Sequence, residues 1–116
     1  MMRYLQKIGN FLWNLLFGEP RFKAERVTEI PDKLHPKKIY VAGEGSYLWF
    51  TAMICPCGCG EILYMNLDQK SWPNWKIEIH NDRTVTLFPS VNRTIGCRSH
   101  FYVRKGQIQW CKTIIH

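Results

Sequence analysis

Two short stretches carry the residues with the strongest chemistry, Cys55-Pro56-Cys57-Gly58-Cys59-Gly60 and Cys97-Arg98-Ser99-His100. Thiolate sulfur and imidazole nitrogen are ligands of tetrahedral zinc. The C-x-C and C-x-x-H spacings let neighbouring side chains converge on one ion from a tight turn. Five candidates, Cys55, Cys57, Cys59, Cys97 and His100, compete for an ion that normally takes four ligands. Cys57, Cys97 and His100 are the preferred three, and the fourth is Cys55 or Cys59, a choice the spacing leaves open. Cys111, beside Trp110, has no ligand-like neighbour and reads as a small buried hydrophobe. Arg98 is placed to offset the negative charge of a three-thiolate site.

The alternative readings of these cysteines are free or buried thiols, a redox disulfide, or a three-Cys, one-His [2Fe–2S] cluster. The two-loop arrangement is similar to a Rieske site, but Rieske centres use two His, and Cys57 stands where the first would be. Redox-silent zinc is the expected cofactor. Four or five strong ligands close the site to water, so a catalytic metal is not expected, and Glu61 is the only evident general-base candidate beside it. The His-x-Glu and Pro-Cys-x-x-Cys pattern of zinc deaminases is absent. Neither His80 nor Ser90 has an evident triad partner in the sequence.

The elements that must hold the two loops are β-rich. From Lys37 onward, runs of Ile, Val, Thr, Tyr, Phe and Trp predict strands at Lys38 to Ala42, Tyr47 to Ile54, Ile62 to Leu67, Trp75 to His80, Thr84 to Phe88, Phe101 to Arg104 and Gln107 to Lys112. Asn81-Asp82-Arg83 and Lys105-Gly106 read as hairpin turns. The first cysteine motif occupies a hairpin tip, where Gly58 and Gly60 supply positive φ and let amides point at sulfur. The expected class is mainly β: a small antiparallel β domain with a zinc-ribbon or Rieske-like two-loop metal clamp, preceded by an N-terminal amphipathic helix.

That helix is read over residues 1–18, from Tyr4, Leu5, Ile8, Phe11, Leu12, Leu15 and Leu16, with Gly18 and Pro20 marking its end. At about 22 Å it is too short to cross the roughly 30 Å apolar core of a bilayer. It would pack on its own domain, dock in a partner's groove, or lie on a membrane surface. Residues 19–36, charged and containing Pro20, Pro31 and Pro36, read as an extended arm, and residues 37–116 as the metal-binding domain.

The net charge of +7 raises the prospect of an acidic partner. No single basic block stands out, however, with eight Lys and Arg in residues 1–40 against four acids and eight in the remainder against five. A solubilising surface is the simpler reading. The odd cysteine count and metal-like spacings point to a reducing compartment, and with no cleavable secretory signal evident the cytoplasm is expected.

From Tyr47 to Trp110 the chain resembles a family of small bacterial Cys/His metal-binding proteins. Their pattern is C-x-C-G-C-G, a Trp, a TL-x-PS segment, C-R-S-H, and a final G-x-[IV]-x-W. Here these are Cys55 to Gly60, Trp75, Thr86 to Ser90, Cys97 to His100 followed by Phe101-Tyr102, and Gly106 to Trp110. The resemblance implies a metal-binding module encoded beside ubiquitin-like conjugation components: an activating enzyme, a conjugating enzyme and a metalloprotease.

The expectation is therefore a zinc-binding accessory or adaptor without catalysis of its own. It would bind a protein partner, with the helix as anchor and Trp72 as the best candidate for an exposed contact among Trp72, Trp75, Phe101, Tyr102 and Trp110. The alternatives are a nucleic-acid-binding zinc module and a redox iron–sulfur protein.

Overall fold

The computed structural model describes residues 21–111. Its strands are β1 (Lys23–Val27), β2 (Lys38–Glu44), β3 (Tyr47–Ile54), β4 (Ile62–Asn66), β5 (Lys76–Ile79), β6 (Val85–Phe88), β7 (Val91–Asn92), β8 (His100–Arg104) and β9 (Gln107–Trp110). They form a four-stranded sheet in the order β1-β2-β3-β4, a two-stranded sheet β5-β6 and a three-stranded sheet β7-β8-β9.

Alternating burial explains the pairing. On β3 and β4, Thr51 and Met53 face Met65 and Leu63 across the ladder, and all four are buried. Phe50 and Tyr64 sit on the opposite face, their rings 5.9 Å apart. On β8, Phe101 and Val103 are buried while His100, Tyr102 and Arg104 point the other way. One apolar cluster joins the sheets, including Ile39, Val41, Met53, Met65, Val85, Leu87, Phe101 and Val103. Burying each such side chain stabilises the fold by about 1.5–3 kcal/mol.

Backbone bonds at one seam stitch the sheets together. The Phe22 amide donates to the Gly106 carbonyl at 2.8 Å, the Ala24 amide to Arg83 at 2.8 Å, and the Gly106 amide to Val85 at 2.8 Å. The Arg83 guanidinium returns a bond to the Ala24 carbonyl at 2.6 Å.

The expected class needs correction in two respects, although its mainly β character stands. Among the described residues there is no helix, and the helix read at residues 1–18 lies outside them. The domain is also not purely antiparallel. Strand β1 falls within the segment read as an arm and pairs in parallel with β2, Lys23 opposite Lys38. Its sequence, Lys-Ala-Glu-Arg-Val, hides it, because only Ala24 is buried and no apolar alternation marks it. No helix among the described residues is long and apolar enough to cross a membrane.

The β5–β6 hairpin turns where Asn81-Asp82-Arg83 was expected to turn it. Asp82 Oδ1 accepts from the Thr84 amide at 3.0 Å and from the Thr84 hydroxyl at 2.6 Å. These bonds hold the Asp82 carboxyl below its ordinary range. A depressed folded-state value means stability that is present above the unfolded value of about 4 and lost as pH falls through the folded one. Asp82→Ala is expected to lower the melting temperature at pH 7. The gap to wild type should narrow between pH 4 and pH 2 in thermal melts; a gap independent of pH would contradict this role.

Candidate functional site

The first cysteine loop closes the β3–β4 hairpin. The Cys55 amide donates to the Glu61 carbonyl at 2.8 Å, and the Gly58 amide to the Cys55 carbonyl at 3.3 Å. Gly58 and Gly60 adopt φ of 91° and 84°, as the tight loop requires. The second loop joins β7 to β8, its neck closed by the Arg93 amide donating to the Ser99 carbonyl at 2.8 Å.

The two loops bring Cys55, Cys57, Cys59 and Cys97 together, all four sulfurs within 4.8 Å of one another. Cys55 Sγ lies 3.4 Å from Cys57 Sγ and 3.7 Å from Cys97 Sγ. A tetrahedral ion with bonds of about 2.3 Å to sulfur needs sulfurs roughly 3.8 Å apart, so this group could hold a metal ion. Cys55 is buried, and burial pushes its thiol up to about 12. A divalent cation would remove the penalty on that buried thiolate. Cys97 is drawn the other way, down to about 6, by hydrogen bonds from the Ser99 hydroxyl and backbone.

Arg93 provides positive charge at the cluster. Its Nη1 donates to Cys97 Sγ at 3.2 Å and to Cys59 Sγ at 3.7 Å, while Nη2 pairs with the Glu61 carboxylate. Arg98, expected in this role, is exposed at a positive-φ turn position. Glu61, considered as a general base, is the partner of Arg93. Both Cys55 and Cys59 join the group, so the sequence-level choice between them does not arise.

His100 lies outside the four-sulfur group. Its Nε2 is 2.9 Å from Ser90 Oγ. Antiparallel pairing sets Asn92 opposite His100 and Val91 opposite Phe101. Val91 and Phe101 turn into the core, so Ser90 and Asn92 share the outer face with His100 and Tyr102, and Ser90 meets His100 along the diagonal. Ser99, one residue earlier, faces the sulfurs instead, its Oγ 3.0 Å from Cys97 Sγ.

Further contacts steady the pair. The Trp75 indole donates to the Ser90 carbonyl at 3.3 Å, the Cys111 amide to the His100 carbonyl at 2.9 Å, and the Tyr102 ring lies 6.4 Å from the imidazole. Among the described residues no carboxylate is hydrogen-bonded to His100. The sequence places His100 among the metal-ligand candidates and shows no triad partner for Ser90; the structure sets the two side chains together.

A family model described as "Bacterial ubiquitination-like system serine protease (BubE)" matches residues 26–111. The chain belongs to the BubE family. The match takes in both cysteine loops, Ser90 and His100, and the expected link to ubiquitin-like conjugation holds at the level of the family. No curated protein and no solved structure matches the chain. The BubE family's setting among protein-modifying components points to protein partners. Of the aromatic residues considered for a partner site, Trp72 is 87% exposed and Trp110 54%, whereas Phe101 is fully buried.

Metal content separates the two ligand sets. Cys59→Ser is expected to lower zinc well below one ion per chain in elemental analysis of purified protein, and His100→Gln to leave it unchanged. Loss of the ion in His100→Gln would return the histidine to the ligand set.

Proposed function

We propose that the chain is a serine protease of a bacterial ubiquitination-like system, with Ser90 as nucleophile and His100 as general base. The observation that carries this reading is the 2.9 Å contact between Ser90 Oγ and His100 Nε2, both half-buried on one sheet face. The description of the matching family supports it independently. Nε2 can take the hydroxyl proton only when the neutral ring carries its own proton on Nδ1.

In this mechanism Ser90 Oγ attacks the carbonyl carbon of the substrate amide as its proton passes to His100 Nε2. The tetrahedral intermediate collapses, and His100 gives that proton to the departing amine, leaving an ester on Ser90. Water, deprotonated by His100, then hydrolyses the ester and restores Ser90. The pair works without a hydrogen-bonded carboxylate among the described residues, so Trp75, Tyr102 and the β8 backbone do the positioning. The scissile bond is an amide of a ubiquitin-like protein, either in a precursor or where it is joined to a target.

Zinc is the metal we assign to Cys55, Cys57, Cys59 and Cys97, replacing the ligand set centred on His100. Four thiolates around one ion leave no open position, so the ion would act structurally, fixing the β7–β8 loop against the β3–β4 tip. Single-ion geometry favours zinc over a two-iron cluster, whose ligand sulfurs are divided between two metals. Arg93 would balance part of the charge of about −2 on the filled site. Thiolates kept reduced suit the cytoplasm.

Ser90→Ala and His100→Gln are each expected to lower hydrolysis of a ubiquitin-like fusion by at least about 10³-fold. Metal content and melting temperature should change little. A fluorophosphonate should add its mass to Ser90 in the wild type and not in His100→Gln. Full hydrolysis by Ser90→Ala would exclude this mechanism.

A further inference from the structure

Beside the serine–histidine pair lies a groove that the proposed chemistry does not use. It has a volume of about 440 Å³, and its lining includes Glu78, His80, Phe88, Arg104, Lys105 and Gln109. Two strands that line it, β6 and β8, lead toward the pair. On β8 the outer face runs His100, Tyr102, Arg104: the Tyr102 ring is 6.4 Å from the imidazole, and the Arg104 guanidinium carbon lies 4.4 Å from the centre of the Tyr102 ring. On the other wall, Phe88 at the end of β6 is 47% exposed and stands two residues before Ser90.

The groove is cationic. Arg21, Arg104 and Lys105 line it against one carboxylate, Glu78. Arg104 donates through Nη1 to Gln109 Oε1 at 2.9 Å, which fixes its plane while leaving other guanidinium N–H groups to bind. Among the described residues Arg104 forms no salt bridge. A guanidinium held over an aromatic ring, with free donors in a groove, is suited to a carboxylate.

Resting on the protease reading, we propose that this groove binds the substrate chain in extended form and selects an acidic residue through Arg104, on whichever side of the scissile bond enters the groove. Through the Tyr102 ring, 6.4 Å from the imidazole and 4.4 Å from the Arg104 guanidinium carbon, the guanidinium lies no more than about 11 Å from His100, a distance that about three residues of extended peptide cover. The selected Asp or Glu therefore lies about three residues from the scissile bond. Phe88 and Tyr102 form the apolar walls between.

The test separates binding from cleavage. In Ser90→Ala protein, a fluorescein-labelled Ala/Gly decapeptide carrying one glutamate is expected to bind about five- to tenfold more tightly than its lysine counterpart in fluorescence anisotropy at low salt. Arg104→Glu should reverse that order, and Lys33→Glu, an equal charge change at an exposed loop residue, should not. Equal binding of the two peptides overturns the proposal, as does an equal effect of Lys33→Glu. In the Ser90 protein, cleavage should favour peptides with glutamate about three residues from the cut, with Arg104→Glu raising KM and sparing kcat. Cleavage indifferent to charge there overturns the groove assignment while leaving the protease reading intact. Charge-selective binding without fluorophosphonate labelling of Ser90 would support the groove and overturn the protease reading.

Discussion

The pairing of Val91–Asn92 with His100–Phe101 decides which side chains meet at the candidate site, yet a ladder this short cannot hold its own register. It is held from two directions. From below, burial of Val91, Phe101 and Val103 fixes the face. A slip of one residue would carry His100 into the core and expose Phe101. From the loop end, Cys97 converges with three cysteines of the β3–β4 tip, and Arg93 contacts both loops. The core sets the direction of Ser90 and His100, and the sulfur cluster sets the position of the loop between their strands.

This arrangement divides labour within a small domain. Were the four converging thiols to hold one ion, no fifth ligand would be needed, and His100, three residues beyond Cys97, would be free for acid–base work. The metal would then influence catalysis through the position of β8 and not by touching substrate. Arg93 belongs to the same scheme, since its contacts with Cys59, Cys97 and Glu61 tie charge balance to loop position.

Much of this was legible before the fold was known, and the misreadings have physical causes. The β5–β6 hairpin was readable because Lys76-Ile77-Glu78-Ile79 alternates and Asn81-Asp82-Arg83 is turn chemistry. The convergence of cysteines was readable because C-x-C in a Gly-rich tip has few other uses. Strand β1 was not, because it is the edge strand of its sheet and buries only Ala24, and β7, two residues long, is too short to show a period. His100 reads as a ligand because C-x-x-H is a metal spacing. Strand β8 begins at His100, so alternation with buried Phe101 sends the imidazole toward Ser90, and that meeting depends on a pairing with no local signature.

The central claim is that four sulfurs hold one ion while His100 faces Ser90. A crystal structure of metal-loaded protein, with anomalous data collected on both sides of the zinc absorption edge, tests both halves at once. The account predicts one zinc peak enclosed by Cys55, Cys57, Cys59 and Cys97, with Ser90 Oγ within hydrogen-bond distance of His100 Nε2. A zinc ion ligated by the His100 ring, with Ser90 left without its base, would contradict it.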